Sequence, residues 1–116
     1  MEELKQMNIQ IFGKKKCFDT KKAERYFKER GIKYQFVDIL NKGLSKGELN
    51  SILKAIGNLE MIMDNKSKDY ALIKYLVDDQ KIDKLIECPK AYKTPIVRNG
   101  KKATVGFNPD IWSKWE

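Results

Sequence analysis

The chain has 116 residues, 41% of them hydrophobic, and 24 Lys+Arg against 16 Asp+Glu give a net charge of +8. That length predicts one domain over residues 1–116, with one modest core, and no window approaches the roughly 18 to 20 apolar residues of a membrane span, so a cytoplasmic protein without a membrane partner is expected. With no histidine and two cysteines, Cys17 and Cys88, the composition argues against a metal centre, an imidazole base and a secreted disulfide scaffold.

The opening residues carry charge at Glu2, Glu3 and Lys5 and lack a continuous apolar stretch. The apolar run at Ile9, Ile11 and Phe12 then predicts a first strand, which passes through Gly13 and the basic turn Lys14-Lys15-Lys16 to Cys17, where a helix begins. A thiol at that junction meets unpaired backbone N–H groups and the positive end of the helix dipole beside lysines, all of which favour the thiolate. The alternative is an inert small apolar residue, with Thr20 serving only as a cap. The basic, loop-like approach to Cys17 favours the reactive reading. Ala23, Tyr26 and Phe27 fall on one face of a helix over residues 21–30, ended by Gly31, and residues 32–40 read as a second strand.

Ser45-Lys46-Gly47-Glu48 has the spacing of a capping box, and Leu49, Ile52, Leu53 and Ile56 predict a helix over residues 46–56 that stops at Gly57. Residues 58–63 are ambiguous and residues 64–68 turn-like. Tyr70, Leu72, Ile73, Leu76 and Val77 predict a further helix before Asp78, and Ile82, Leu85 and Ile86 another that ends near Pro89. Strand character returns at Pro95 to Arg98. Asn99-Gly100 predicts a type I′ hairpin into residues 102–106, and Asn108-Pro109 an N-cap and first turn for a last helix carrying Ile111, Trp112 and Trp115. The lysines are spread along the whole chain without an aromatic-interleaved basic motif, which favours a solvated surface over a nucleic-acid footprint, so no direct nucleic-acid partner is expected.

Three stretches together resemble the ArsC/Spx group of arsenate-reductase-like proteins: residues 9–20 with a single cysteine after the first strand, Thr94-Pro95-Ile96-Val97, and Val105-Gly106-Phe107-Asn108. The resemblance implies an α/β, thioredoxin-like fold with a mixed four-stranded sheet and a helical insertion, about residues 45–89, between β-α-β and β-β-α halves. It implies a cis peptide before Pro95, lying against the active thiol. Cys17-Phe-Asp-Thr20 resembles the monothiol version of a Cys-x-x-Cys motif, with the Thr20 hydroxyl supporting the thiolate. The activity implied is thiol-disulfide exchange, in which Cys17 attacks a disulfide or accepts glutathione. Thr94 and Pro95 would then shape the substrate groove, and Lys14, Lys16 and Lys21 would supply positive potential. No permanently bound cofactor is expected, glutathione or another thiol being a co-substrate and a glutaredoxin or thioredoxin a partner.

Two other activities follow from the same resemblance. Spx-type regulators bind the C-terminal domain of the RNA polymerase α-subunit, and Gly57 matches a glycine of that interface, although a helix C-cap explains it better. Arsenate reductases of this type hold the oxyanion with three arginines, at places occupied here by Met63 or a neighbour, Thr94 and Phe107, none of which can supply a guanidinium fork. Cys88 is the other thiol; it reads as a bystander at a helix end in preference to a resolving partner for Cys17.

Overall fold

The computed structural model describes residues 8–115; the charged opening at Glu2, Glu3 and Lys5 lies outside them. Strand β1 (Ile9–Gly13) is followed by helix α1 (Phe18–Glu29) and strand β2 (Tyr34–Asp38), which returns parallel to β1. After α2 (Lys46–Ile56), a 3-10 turn (Leu59–Ile62), the short α3 (Tyr70–Ile73), α4 (Asp78–Glu87) and a second 3-10 turn (Pro89–Ala91), strands β3 (Ile96–Asn99) and β4 (Lys102–Val105) complete the sheet, and α5 (Pro109–Ser113) ends the described chain. The strand order is β2-β1-β3-β4, with β3 antiparallel to both neighbours. This is the mixed-sheet, thioredoxin-like arrangement that the sequence implies.

β1 is central and apolar on both sides, as a strand covered on both faces must be. Ile9 and Ile11 pack with Ala23, Tyr26 and Phe27 of α1, Val97 of β3, and Trp112 and Trp115. Phe12 turns to the other face, where Val37, Ile39, Leu49, Ile52, Ile62, Leu85, Tyr92 and Ile96 bury it under the helical insertion. The sheet is thereby clamped between α1 with α5 and the insertion, which fixes the end of β1 from which Cys17 emerges.

Several local expectations hold residue by residue. Ser45 Oγ accepts from the Glu48 N–H while the Glu48 carboxylate accepts from the Ser45 N–H, closing the capping box at α2. Gly57 ends that helix in the left-handed region, its N–H donating to the Leu53 carbonyl at 2.7 Å. The peptide between Thr94 and Pro95 is cis.

Others need correction. α1 starts at Phe18, directly after Cys17 as expected, with Cys17 as the N-cap and its carbonyl accepting the Lys21 N–H at 3.1 Å, but it ends at Glu29, one residue short of the expected Arg30. The predicted helix through Val77 ends at Ile73, leaving Leu72 and Val77 64% and 65% exposed, since Val77 adopts an extended backbone as the N-cap of α4. In the hairpin, Asn99 stays in the ladder opposite Lys102 and the two-residue turn is Gly100-Lys101. Gly100 alone has positive φ there, at 60°, which is the pattern of a glycine-first turn and not of type I′. Asn99 is held in the strand by a long-range bond, its Oδ1 accepting the Asn8 N–H at 3.0 Å. Asn108 occupies the N-cap position, but its side chain donates to the Val105 carbonyl at 2.7 Å and caps no helical amide.

Candidate functional site

Cys17 lies half-buried at the junction of the basic turn and α1. Its backbone N–H donates to the Lys14 carbonyl at 3.0 Å, closing the turn, and its thiol donates to the Thr94 carbonyl at 3.7 Å. β1 delivers the turn and β3 begins directly after Thr94 and Pro95, so register pairing of Phe12 with Ile96 brings the two together. A cleft of about 580 Å³ opens beside the sulfur, lined by Lys14, Lys15, Lys16, Asp38, Leu40, Asp64 and Thr94.

The thiol's acidity is set by opposing effects. Burial pushes its pKa up, while the Thr20 and Thr94 side chains and the backbone N–H groups of Thr20 and Asp19, as donors to the charged sulfur, pull it down, and the net position is below the ordinary thiol value. The helix N-terminus acts as the sequence suggests; the lysines are not among the causes of the shift. Thr20 is fully buried and its hydroxyl finds no partner among the described residues in the thiol form. That hydroxyl nevertheless favours the charged sulfur. The two facts fit together if ionisation supplies the acceptor that the buried hydroxyl lacks, because a thiolate accepts hydrogen bonds far better than a thiol.

Gly13 makes this contact available. A Cβ built on it would stand 2.4 Å from Thr20 Cγ2 and 2.7 Å from Thr20 Oγ1. Only a glycine at the end of β1 lets the first turn of α1 pack that closely.

The structure brings Cys17, Thr20, Thr94, Lys14 and Lys16 to one place. Pro95 is buried next to Thr94, and it is Thr94 that lines the cleft. Lys21 is not part of it: one turn further along α1, it borders an exposed groove with Glu24, Arg25, Lys28 and Glu29. Lys14 is present but committed, its ammonium donating to the Lys90 and Tyr92 carbonyls, each at 3.1 Å. Lys16, exposed on the same turn, lines the cleft and has no ion pair among the described residues.

Sequence reasoning missed the carboxylates and the apolar rim. Asp38 ends β2 opposite Gly13, at the carboxyl end of a parallel pair, where α/β sheets commonly present their sites. That position was a usable signal. Asp64 reaches the cleft through the bridge between Met63 and Tyr92, a non-local pairing with no local signature. Leu40 and Phe18, 49% and 78% exposed, flank the site with apolar surface.

At the three places named for oxyanion-binding arginines, Met63 is buried in the core, Thr94 faces the sulfur, and Phe107 packs edge-on against Trp112 with centroids 5.5 Å apart. Among the described residues no cluster of three or more Cys, Asp or Glu could hold a metal ion, and no helix is long and apolar enough to cross a membrane. Cys88 caps the end of α4 and packs against the core under the sheet, outside the residues lining the Cys17 cleft.

A four-stranded mixed sheet with a cysteine at the N-cap of its first helix and a cis-proline directly ahead of its third strand marks the thioredoxin-like class of fold. Within it the chain belongs to the ArsC family, which residues 12–115 match. It is 31% identical over 128 aligned positions to the global transcriptional regulator Spx 2 of Oceanobacillus iheyensis, covering 95% of this chain and 94% of that protein. It is 27% identical to the global transcriptional regulator Spx of Streptococcus mutans, covering 88% and 78% of the two chains. Among solved structures, the arsenate reductase from Vibrio cholerae matches with a TM-score of 0.84 over 96% of this chain and 99% of that one, at 23% identity, a likeness of fold.

Proposed function

We propose that the protein is a monothiol exchange protein in which Cys17 carries the reaction. What supports this most directly is the placement of the sulfur at the N-cap of α1, beside the Thr94 carbonyl and within reach of the Thr20 and Thr94 hydroxyls and the Asp19 and Thr20 amides, donors that favour its ionised form. The Cys17 thiolate attacks one sulfur of a disulfide, forming a Cys17 mixed disulfide and expelling the other sulfur as a thiolate, which takes a proton from water. An external thiol, such as glutathione or a dithiol protein of the glutaredoxin or thioredoxin kind, then attacks the mixed disulfide. It leaves as a disulfide with the substrate half and returns Cys17 as thiolate; a second external thiol, or the second thiol of a dithiol protein, then attacks that disulfide and releases the substrate half as a thiol, so two thiols are oxidised for each disulfide reduced. Thr20 and Thr94 stabilise the thiolate as it attacks and as it leaves. No metal or resident organic group takes part in these steps.

Arsenate reduction is disfavoured by the same site. Met63, Thr94 and Phe107 cannot form guanidinium forks, Lys14 is engaged by two carbonyls, and Asp38 and Asp64 add negative charge to the cleft. With glutathione as the external thiol, turnover of a glutathione mixed disulfide should therefore be readily measured, while arsenate reduction with glutathione and glutaredoxin should stay at the blank. Arsenate turnover matching or exceeding disulfide turnover would reverse the assignment.

A second reading rests on the similarity to Spx regulators over most of the chain. In it the protein binds the C-terminal domain of the RNA polymerase α-subunit, and Cys17 is subsidiary. Pull-down with that purified domain separates the two: stable capture that survives loss of Cys17 favours the regulator, and its absence leaves the exchange reading.

A further inference from the structure

Lys14 is held from two directions at once. Its carbonyl accepts the Cys17 N–H at 3.0 Å, so its backbone forms the turn that presents the sulfur. Its ammonium meanwhile crosses to the chain 76 and 78 residues away, donating to the Lys90 and Tyr92 carbonyls at 3.1 Å each. Thr94, whose carbonyl accepts from the Cys17 thiol, follows two residues later. The other supports of that segment come from elsewhere. The Asp64 N–H donates to the Ala91 carbonyl and the Lys93 N–H to the Ile62 carbonyl, both at 2.7 Å, and beyond the cis peptide the Gly106 N–H donates to the Pro95 carbonyl at 2.8 Å. These tie the segment to the insertion and to the end of β4. The bonds from Lys14 tie it to the cysteine turn.

We infer that Lys14 is a positioning residue, whose ammonium clamps the segment ahead of Thr94 to the Cys17 turn and so sets the Thr94 hydroxyl against the sulfur. A lysine carries three donors on a flexible stem and holds two carbonyls that no backbone amide of the turn satisfies. Its role is then to orient a group that touches the reacting atom, not to bind substrate. The inference rests on Cys17 being the exchanging thiol, and it assigns to Lys14 a task that the basic turn alone does not suggest.

Lys14 also carries charge, as do Lys15, Lys16, Asp38 and Asp64 around the same cleft, with Lys15 Nζ 4.0 Å from Asp38 Oδ2. Simple attraction of a thiolate by an ammonium must therefore be separated from positioning, and a double-mutant cycle does so. The pH midpoint of Cys17 alkylation by iodoacetamide is measured for Lys14→Met, Thr94→Val and the double variant on a Cys88→Ser background, at low and high salt. Positioning predicts that Lys14→Met lowers the thiolate fraction below the midpoint by roughly two- to fivefold, the lower end of the coupling between residues in contact. The effect should persist in high salt, vanish in the Thr94→Val background, and be largely rescued by Lys14→Arg, which can still reach both carbonyls. An additive effect, one removed by salt, or no effect overturns the inference. If Lys14→Met does not fold, as judged by circular dichroism, Lys14→Gln takes its place in the cycle under the same criteria. Alkylation does not depend on turnover, so a protein that obeys the cycle yet exchanges no disulfide would fail the functional reading and leave the placement of Lys14 intact.

Discussion

Cys17→Ser is expected to reduce exchange with a glutathione mixed disulfide to the blank, while Cys88→Ser stays close to the parent rate. The reaction requires a sulfur that forms and breaks S–S bonds, and a serine hydroxyl neither ionises near neutrality nor makes such a bond. Cys17 combines the needed properties: partial exposure at the cleft, donors that favour its thiolate, and Thr94 close enough to accept from its thiol. Cys88 is spent on closing α4 and packing against the core. Steady-state turnover of the two variants, with circular dichroism to verify folding, makes the comparison. Residual exchange in Cys17→Ser that disappears on further loss of Cys88 would transfer the chemistry to Cys88 and contradict this account.

Trp112→Ala should be the most damaging single change to the fold. The indole is fully buried. Its ring lies 5.2, 5.1 and 5.5 Å from those of Tyr26, Phe27 and Phe107, and its Nε1 donates to Thr104 Oγ1 at 2.8 Å. Truncation removes the side chain that holds the five-residue α5 to the sheet, opens a cavity under α1, and leaves the buried Thr104 hydroxyl without its donor. Large aromatic-to-alanine changes in cores cost about 3–5 kcal/mol, a large share of the roughly 5–15 kcal/mol that such domains have in total. Urea unfolding should show the midpoint falling with little change in slope. A loss of under about 1 kcal/mol, the ordinary scale for a point mutant, would mean that the C-terminal helix is not a structural support of the Cys17 helix. Trp112→Phe should recover most of the packing and none of the hydrogen bond.

What was legible in the sequence was whatever is written locally. Ser45 and Glu48 announce their helix because both bonds of a capping box close within four residues. The apolar run of Ile9, Ile11 and Phe12 announces a strand, and Cys17 announces a helix terminus. The misreadings share the opposite character. Leu72, Leu76 and Val77 have helical spacing, but whether a helix continues past Ile73 depends on where α4 starts, and that helix takes Val77 for its own cap. Asn99-Gly100 fits a type I′ turn in isolation; the Asn8 N–H, on the neighbouring segment, keeps Asn99 in the strand instead. Lys14 looks like a ligand-facing cation until the carbonyls of Lys90 and Tyr92 are seen to occupy it. Phe107 gives no sign in the sequence that it packs on Trp112. The positions of Asp38 and Asp64 in the cleft likewise come from the sheet register and from the Met63–Tyr92 bridge, which no window of sequence contains.

The measurement that bears most directly on Cys17 is the pH dependence of its alkylation in Cys88→Ser protein, with Thr20→Val on the same background. The sign is fixed by the site: burial raises the thiol's pKa, and the side chains of Thr20 and Thr94 with the amides of Thr20 and Asp19 lower it by more. The rate should therefore reach half its plateau below the roughly 8.5 of a free cysteine, and Thr20→Val should move that midpoint upward without weakening the fold, since valine fills the same volume and removes a buried hydroxyl that lacks a partner in the thiol form. A midpoint at or above that of a free thiol, unmoved by Thr20→Val, would contradict the account and leave Cys17 a structural residue.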